Sequence, residues 1–320
     1  MIINYLDIAR SAIKTEIKSL NLLTEILDKN FEKAVQLITK TTGKVVISGI
    51  GKSGIAANKI ATTLSSVGAA SIFVNAGEAS HGDLGMISPG DTAIIISNSG
   101  TSSELVDIIK YCKSIFIPII SIVGNKNSFL YKESTASLLL PPFSEVALKI
   151  PSTSFTLTSI IGDAIAACVV KTKKVTPEQY KKYHPGGKIG ASLAKVEEIM
   201  RTGSDVPTIK SGTLMSEALI LMTSKSLGCV VVNDNSNNVL GIITDGDLRR
   251  HMTSSIIDMT VDEVMTCAPQ TIEPGVFIFE ALDYMNKKKI TNLIVAENKK
   301  VVGIIHIHDC LKLGLEIGES

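Results

Sequence analysis

Two short segments place glycines and hydroxyl side chains where they can hold a phosphate group. Ser48–Gly54 reads Ser-Gly-Ile-Gly-Lys-Ser-Gly and Ser97–Glu104 reads Ser-Asn-Ser-Gly-Thr-Ser-Ser-Glu, and each directly follows an apolar run. A turn of this kind that opens a helix exposes backbone N–H groups to an anion, and neutral hydroxyls add further donors. The alternative is that small residues only shape the first turn and that serines cap the helix after the second. The predicted phosphate ligands are Ser53, Ser97, Ser99 and Ser102.

Two histidines stand in loop-like segments, where an imidazole can act as an acid or a base near neutral pH. His81 lies in Glu-Ala-Ser-His-Gly-Asp-Leu-Gly (78–85), and His184 lies in Tyr-His-Pro-Gly-Gly (183–187). A lone loop histidine is about as often a hydrogen-bonded structural residue. Both readings stay open at this point.

The elements that must position these residues follow an alternating pattern. Short apolar runs rich in β-branched residues have the length of buried parallel strands, and they span residues 45–49, 71–74, 92–97, 118–124 and 136–140. Segments with helical patterns cover residues 4–28, 31–41, 53–67, 103–114, 127–133 and 155–172. The alternation predicts an α/β fold with a doubly wound parallel sheet, whose ligand binds beyond the carboxyl ends of the strands.

The last third of the chain contains an internal repeat. Glu-Ala-Leu-Ile-Leu-Met (217–222) matches Glu-Ala-Leu-Asp-Tyr-Met (280–285), and residues 239–247 match residues 301–309. Each copy has the pattern helix, strand, strand, helix, and repeated units of this kind generally pack together to share a core. We therefore expect three parts, which span residues 1–197, 198–258 and 259–320.

The composition excludes several classes of protein. Lys plus Arg (32) nearly balances Asp plus Glu (31), so no overall field draws the chain to nucleic acid or to anionic lipid. The five cysteines lack any CxxC spacing, which excludes a disulfide framework and favours buried, reduced thiols. The N-terminus lacks the apolar core of a signal peptide, and the apolar stretch 155–170 is interrupted by Asp163. We expect a cytoplasmic protein without a membrane span.

Five motifs and the repeat, in this order along the chain, closely resemble the bacterial D-arabinose 5-phosphate isomerases. The N-terminal part is similar to a sugar isomerase (SIS) domain, a flavodoxin-like three-layer sandwich, and the repeat resembles a tandem pair of cystathionine-β-synthase (CBS) domains. The motifs are Gly49-x-Gly-Lys-Ser-Gly54, His81-Gly-Asp-Leu-Gly85, Ser97-Asn-Ser-Gly-x-Ser-Ser-Glu104, Gly162-Asp-Ala164 and His184-Pro-Gly-Gly187.

The resemblance implies an activity and an assembly. The family interconverts D-ribulose 5-phosphate and D-arabinose 5-phosphate through an enediol, which feeds 3-deoxy-D-manno-octulosonate synthesis for lipopolysaccharide, and it needs no cofactor and no metal. Its members are usually homotetramers. The residues that match its catalytic positions are Lys52, His81, Glu104, Glu145 and His184.

The chemistry accounts for these residue types. Isomerisation removes a proton from the carbon beside a carbonyl and returns it to the neighbouring carbon, so it needs a base with a pKa near the working pH. A cation such as Lys52 can stabilise the developing enediolate. Glu104, Glu145 and His184 all remain candidates for the base.

The resemblance also suggests a regulatory ligand at the CBS pair, a nucleotide or a sugar nucleotide. The family pattern appears as Gly-Ile-Ile-Thr-Asp-Gly-Asp (241–247), where Thr244 and Asp247 can hold a ribose or a phosphate. In the second copy His306 replaces the threonine and Asp309 remains, which favours a ligand in one site over two. His306 and His308 alternate along a strand-like run and therefore do not predict a metal site.

Two other functions fit the same residues. SIS domains also serve as sugar-phosphate sensors in transcription regulators, although no helix-turn-helix motif or basic patch accompanies this one. The substrate of an isomerase with this fold can also be another sugar phosphate, because fold alone does not determine the substrate.

Overall fold

A computed structural model of the chain describes residues 3–252 and 255–314. The chain divides into two compact units, Met1–Tyr183 and His184–Ser320. The predicted boundary lies further along the chain, after residue 197. His184 therefore belongs to the second unit in this division.

The first unit alternates strands and helices as the apolar runs predict. Its strands are β1 (Val45–Gly49), β2 (Ser71–Asn75), β3 (Thr92–Ser97), β4 (Ile119–Val123) and β5 (Ala136–Leu139). Its helices are α1 (Tyr5–Glu25), α2 (Lys29–Lys40), α3 (Gly51–Ser66), α4 (Ala76–Ala79), α5 (Leu105–Ser114), α6 (Phe129–Glu133), α7 (Thr153–Thr172) and α8 (Pro177–Tyr183). All the strands pair in parallel, in the order β2-β1-β3-β4-β5.

The sheet lies between two helical layers. Alternate strand residues point to opposite faces, so Ile47 and Ile94 pack with α1, α2, α3 and α7 on one side. Val46 and Ile95 pack with α4, α5 and α6 on the other side. The fold is therefore the expected three-layer sandwich with a doubly wound parallel sheet.

Side-chain caps set the start of two of the shorter helices. The Asp28 carboxylate accepts the backbone N–H of Asn30 at 2.8 Å and begins α2. The Ser128 hydroxyl accepts the backbone N–H of Tyr131 at 3.3 Å and begins α6. These caps satisfy N–H groups that have no partner within the helix.

The helix α7 is the most apolar element of the first unit. It is long and apolar enough to cross a membrane by length and composition, but half of its apolar window is buried inside the protein. Leu157, Ile161, Ile165 and Val169 pack into the core beside the sheet. As the interrupting Asp163 indicates, α7 is a buried core helix.

The strand order creates a crevice between β1 and β3. The chain leaves β1 for α3 on one face of the sheet and leaves β3 for α5 on the opposite face. Loops diverge at such a point, and ligands of doubly wound sheets bind there, outside the carboxyl ends of the strands. The segments Ser48–Gly54 and Ser97–Glu104 both begin at this crevice.

The second unit contains the two repeats. Its helices are α9 (Gly187–Ser192), α10 (Met215–Lys225), α11 (Asp245–Arg250), α12 (Val261–Val264), α13 (Ile278–Lys288) and α14 (Ile307–Leu311). Its strands are β6 (Thr208–Lys210), β7 (Cys229–Asn233), β8 (Val239–Thr244), β9 (Thr266–Cys267), β10 (Thr271–Ile272), β11 (Asn292–Glu297) and β12 (Lys300–His306). The series α10-β7-β8-α11 and α13-β11-β12-α14 confirm the expected pattern of helix, strand, strand, helix.

The two repeats share a core, as repeated units of this size generally must. Val231 of the first copy packs in one buried cluster with Ile294 and Ile304 of the second copy. Each copy also has its own cluster, around Val230 in the first and Val295 in the second.

The cysteines are free thiols. Cys112, Cys229 and Cys310 are buried, and burial raises the pKa of the Cys112 thiol to about 11. Cys267 is exposed, because it lies in the two-residue edge strand β9. The expectation that the cysteines are buried is therefore wrong for Cys267.

Candidate active site

A cavity of about 600 Å³ lies at the carboxyl edge of the sheet in the first unit. Its volume is in the usual range for small-molecule sites. Loops that follow three different strands of the sheet contribute to it, together with the first turn of α7. Its lining includes Lys52, Ser53, Asn98, Phe143, Glu145 and Ser154.

The glycine-rich turn after β1 brings the start of α3 close to the strand. A Cβ on Gly49 would lie 2.9 Å from the backbone of Ser53, and one on Gly54 would lie 3.0 Å from the carbonyl oxygen of Gly49. Gly51 has φ +56°, a conformation that favours glycine. The close approach places Lys52 and Ser53 in the first turn of α3, at the cavity. Ile50 at the N-cap offers no side-chain acceptor to that turn.

The serine-rich segment after β3 forms a tight turn before α5. The buried Ser97 hydroxyl accepts the backbone N–H of Gly100 at 3.0 Å, and Ser99 accepts that of Thr101 at 3.4 Å. Each hydroxyl keeps its own O–H as a donor. Ser99 is exposed and Ser102 is half-buried. The turn thus leaves hydroxyl donors beside Asn98, the member of the segment that lines the cavity.

Glu104 stands at the N-cap of α5 and is exposed. The N–H of its own backbone and the Ser103 hydroxyl, which donates to its carboxylate at 3.0 Å, hold the pKa of Glu104 below its ordinary value. The side chain is therefore an ionised carboxylate at neutral pH. It lies at the same edge of the sheet as Lys52, since both follow neighbouring strands.

Glu145 reaches from the loop after β5 into the N-terminus of α7. Its Oε2 atom accepts the backbone N–H groups of Ser152 at 2.9 Å, Thr153 at 2.8 Å and Ser154 at 3.4 Å, and the Ser152 hydroxyl at 3.1 Å. Its Oε1 atom accepts the Ser154 hydroxyl at 2.5 Å. The carboxylate thus occupies the positive end of a twenty-residue helix.

These contacts keep Glu145 ionised. Partial burial acts to raise the pKa of Glu145, but the hydrogen bonds from Ser154 and Ser152 together outweigh it and the pKa lies below 4.5. Five donors occupy the lone pairs of a half-buried carboxylate. In this arrangement Glu145 is a weak base and a fixed negative charge in the cavity wall.

The structure brings some of the predicted residues together and leaves others outside the cavity lining. Lys52, Ser53 and Glu145 line it. His81 is exposed in the turn that follows α4, and it is not among the described residues that line the cavity. His184 is the first residue of the second unit. The structure does not test the predicted roles of these residues.

Sequence reasoning missed most of the other residues of the cavity, among them Asn98, Phe143 and Ser154. For Ser154 a signal was present, because Ser-Thr-Ser (152–154) before a long apolar run is typical of a helix N-terminus. The partner of such a terminus is often an acidic side chain, and Glu145 is the nearest carboxylate upstream in the sequence.

A second cavity, of about 720 Å³, lies in the second unit. Thr244 and Asp247 line it as predicted, but they also bind each other, since Asp247 accepts the Thr244 hydroxyl at 2.6 Å. Asp309 is not among the described residues that line it and instead pairs with Arg201. The sequence prediction missed the basic residues of this cavity, Arg249, Arg250 and Lys289.

Comparison with known proteins identifies both units. The SIS domain family matches residues 37–167, and the CBS domain family matches residues 196–254 and 261–316. An uncharacterized protein of Rickettsia prowazekii is 40% identical over 98% of this chain and 98% of its own length. The arabinose 5-phosphate isomerase KdsD of Salmonella typhi is 37% identical over 96% of this chain and 95% of its own length. The KdsD protein of Yersinia pestis is 36% identical over 98% of this chain and 97% of its own length.

A solved structure resembles the first unit. The Escherichia coli CFT073 protein c3406, solved in complex with arabinose 5-phosphate, is 34% identical to this chain and superposes with a TM-score of 0.55. The match covers 57% of this chain and 100% of that one. The relatives therefore resemble the whole chain, and this structure resembles the part that carries the cavity beside Lys52.

Proposed function

The chain belongs to the arabinose 5-phosphate isomerase family, and on that premise we propose that it interconverts D-ribulose 5-phosphate and D-arabinose 5-phosphate in the cavity beside Lys52. One observation carries the assignment to this cavity. Lys52, Ser53 and Glu145, which follow two different strands, line one space at the carboxyl edge of the sheet. The family resemblance had singled out Lys52 and Glu145, and the glycine-rich turn had predicted Ser53 as a phosphate ligand.

In this proposal the phosphate binds at the crevice between β1 and β3. The uncapped first turn of α3, with the Ser53 hydroxyl, supplies donors from one side, and the segment Ser97–Ser102 supplies them from the other. Neutral hydroxyls and backbone N–H groups bind a phosphate dianion without a matching positive charge. Anchoring the phosphate holds the reacting carbons at a constant position relative to the ionisable groups.

The proton transfer needs a stabiliser and at least one base. We assign the stabilisation of the enediolate to Lys52, because an ammonium group in the cavity stabilises an oxygen that gains negative charge. Glu145 fits the role of an orienting anion better than that of a base, since five hydrogen bonds engage its carboxylate. Of the three candidates for the base, Glu104 and His184 then remain, and both match catalytic positions of the family.

The cellular setting and the assembly are part of the same proposal. A cytoplasmic homotetramer that supplies 3-deoxy-D-manno-octulosonate synthesis is what the family resemblance implies. The exposed apolar side chains Leu6, Ile13 and Ile17 on α1 support contacts between subunits, because they are 65%, 59% and 50% exposed. A nucleotide or sugar nucleotide bound at the CBS pair would give the enzyme a regulatory input.

One assay separates the proposal from its alternatives. Purified protein is mixed with D-ribulose 5-phosphate, and D-arabinose 5-phosphate is followed with Glu104→Gln, His81→Asn and His184→Ala variants in parallel. We expect turnover in the wild type and a loss of at least about a hundredfold in the variant that lacks the base. Binding without turnover would favour a sensor. Turnover of another sugar phosphate alone would correct the substrate.

A further inference from the structure

The loop between β5 and α7 forms one wall of the cavity beside Lys52. Residues 143–154 of this segment read Phe-Ser-Glu-Val-Ala-Leu-Lys-Ile-Pro-Ser-Thr-Ser. Glu145, Leu148, Lys149 and Pro151 of the loop all line the cavity. Besides Glu145, the loop therefore brings a second ionisable side chain to the site, the ammonium group of Lys149.

Hydrogen bonds close the base of this loop. The Ser152 hydroxyl donates to the Glu145 carboxylate at 3.1 Å and accepts the backbone N–H of Val146 at 3.1 Å. Pro151 stands directly before Ser152, and its ring fixes the backbone angle φ at that position. The base thus joins residues 145–146 to the start of α7, which leaves residues 147–150 as the tip of the loop.

The tip is a tight turn on the solvent side of the cavity. The backbone N–H of Ile150 donates to the carbonyl oxygen of Ala147 at 3.1 Å. Leu148 has φ +52°, a conformation that is uncommon for residues other than glycine. Leu148 is 93% exposed and Lys149 is also exposed, although both line the cavity. The Lys149 side chain therefore stands where solvent and ligands enter.

Two lysines and one carboxylate are the charged groups of the described cavity lining. Lys52 and Lys149 carry +2 together and Glu145 carries −1, which leaves a net charge of +1. Within residues 3–252 and 255–314 neither lysine forms an ion pair. Glu145 is engaged instead by the N–H of Thr153 and the other donors at the start of α7. Two ammonium groups without partners favour the binding of an anion in this cavity.

The phosphate site proposed above has only neutral donors. Ser53, the first turn of α3 and the segment Ser97–Ser102 supply hydroxyls and backbone N–H groups, whereas Lys52 is assigned to the enediolate. A phosphate monoester carries a charge of about −1.5 to −2 near neutral pH. Lys149 is the second cation of the described lining, and its flexible four-carbon stem lets the ammonium group adapt to a bound ligand.

We propose that Lys149 is a phosphate-binding residue of the isomerase site, whose ammonium group leaves the solvent and contacts the substrate phosphate at the mouth of the cavity. The inference rests on the proposed function, because it adds a residue to the same site. The phosphate does not react, so the contact is equally strong in the ground state and the transition state and contributes to binding, not to the chemical step. It also favours phosphorylated sugars over free sugars.

Two measurements on the full chain test the proposal, calorimetric binding of D-arabinose 5-phosphate and steady-state kinetics with D-ribulose 5-phosphate. In Lys149→Gln we expect Kd and KM to increase about tenfold, and kcat to change by less than about twofold. Lys149→Arg keeps the positive charge and should retain most of the affinity. Inorganic phosphate should displace D-arabinose 5-phosphate from the wild type, and its own Kd should increase by a similar factor in Lys149→Gln.

Lys173→Gln is the matched control, because it removes the same charge elsewhere. Lys173 is exposed at the C-terminal end of α7, about 30 Å along the helix from its first turn. This variant should keep the affinity of the wild type. An unchanged Kd in Lys149→Gln, an equal loss in Lys173→Gln, or an unchanged Kd for inorganic phosphate would overturn the inference. Binding without turnover would overturn only the isomerase activity, and no binding of either sugar phosphate would overturn both.

Discussion

The carboxylate of Glu145 accepts the backbone N–H of Thr153 at 2.8 Å, which joins the loop after β5 to the N-terminus of α7. The same loop carries Leu148, 93% exposed, and other residues that line the cavity. The ionised Glu145 side chain therefore connects one side of the cavity wall to the start of α7.

Replacing Glu145 by Gln should loosen the start of α7. The amide keeps the shape but removes the negative charge, and hydrogen bonds to a charged group contribute about 1.5 to 3 kcal/mol to stability. We expect amide hydrogen exchange at residues 152–154 to become at least about tenfold faster, and the urea midpoint of the first unit to fall.

A matched variant is Glu133→Gln. Glu133 pairs with Lys113 near the surface, and pairs of this kind contribute less than about 1 kcal/mol. It should leave exchange at residues 152–154 unchanged. Equal protection of these amides in wild type and Glu145→Gln would show that the helix does not depend on the carboxylate.

The stabilising effect of Glu145 should disappear in acid. Its pKa in the folded protein lies below the ordinary 4.5, so the unfolded chain binds the proton more readily. The contribution is complete above pH 4.5 and is lost as the pH falls through the lower, folded value. The difference in unfolding free energy between wild type and Glu145→Gln should therefore shrink between pH 6 and pH 3. A difference that stays constant with pH would argue against an ionised carboxylate at this position.

Gly162→Ala should destabilise the first unit although alanine favours helices. Gly162 lies on α7 against α3, and a Cβ there would come within 2.3 Å of the buried side chain of Ile60. Overpacking of this kind costs about 1 to 3 kcal/mol. Thermal unfolding followed by circular dichroism should show a lower Tm, and Ile60→Ala, which removes the Cγ1 atom nearest to the new Cβ, should lower the Tm less in Gly162→Ala than in the wild type. Additive losses in the double variant would mean that the two side chains do not compete for space.

Ser53→Ala should weaken substrate binding more than it slows the chemistry. If the hydroxyl contacts the phosphate equally in ground and transition states, its loss raises KM and leaves kcat nearly unchanged. We expect KM for D-ribulose 5-phosphate to increase about fivefold to tenfold. Ser66→Ala, in the last turn of the same helix, is the control. A fall in kcat at constant KM would remove Ser53 from the phosphate site.

The sequence predicted the architecture because strand and helix signals were strong and consistent. The five apolar runs became β1 to β5 within one or two residues, and the repeat became two copies of one topology. Parallel strands buried on both faces are predominantly apolar, so their pattern is easy to recognise; all five residues of Val45–Gly49 are buried. The position of Lys52 and Ser53 at the carboxyl edge followed from the strand that precedes them.

The contacts between distant residues were not predictable from the sequence. The Ser-Thr-Ser helix start suggests an acidic partner, but the spacing alone does not determine that Glu145 turns back onto residues 152–154, because that depends on the path of an irregular loop. The ion pair between Arg201 and Asp309 likewise joins residues about a hundred positions apart in the sequence. Both contacts depend on how separate elements and loops pack together, which the sequence pattern does not determine.

The most direct test follows the isomerisation in deuterated water. Wild-type protein and Lys52→Met are incubated with D-ribulose 5-phosphate, and the product is analysed by proton NMR. An enediol formed in the cavity predicts D-arabinose 5-phosphate with deuterium at C2, and kcat/KM at least about a hundredfold lower in the variant. No D-arabinose 5-phosphate from the wild type, or undiminished turnover in Lys52→Met, would contradict the assignment of the reaction to this cavity.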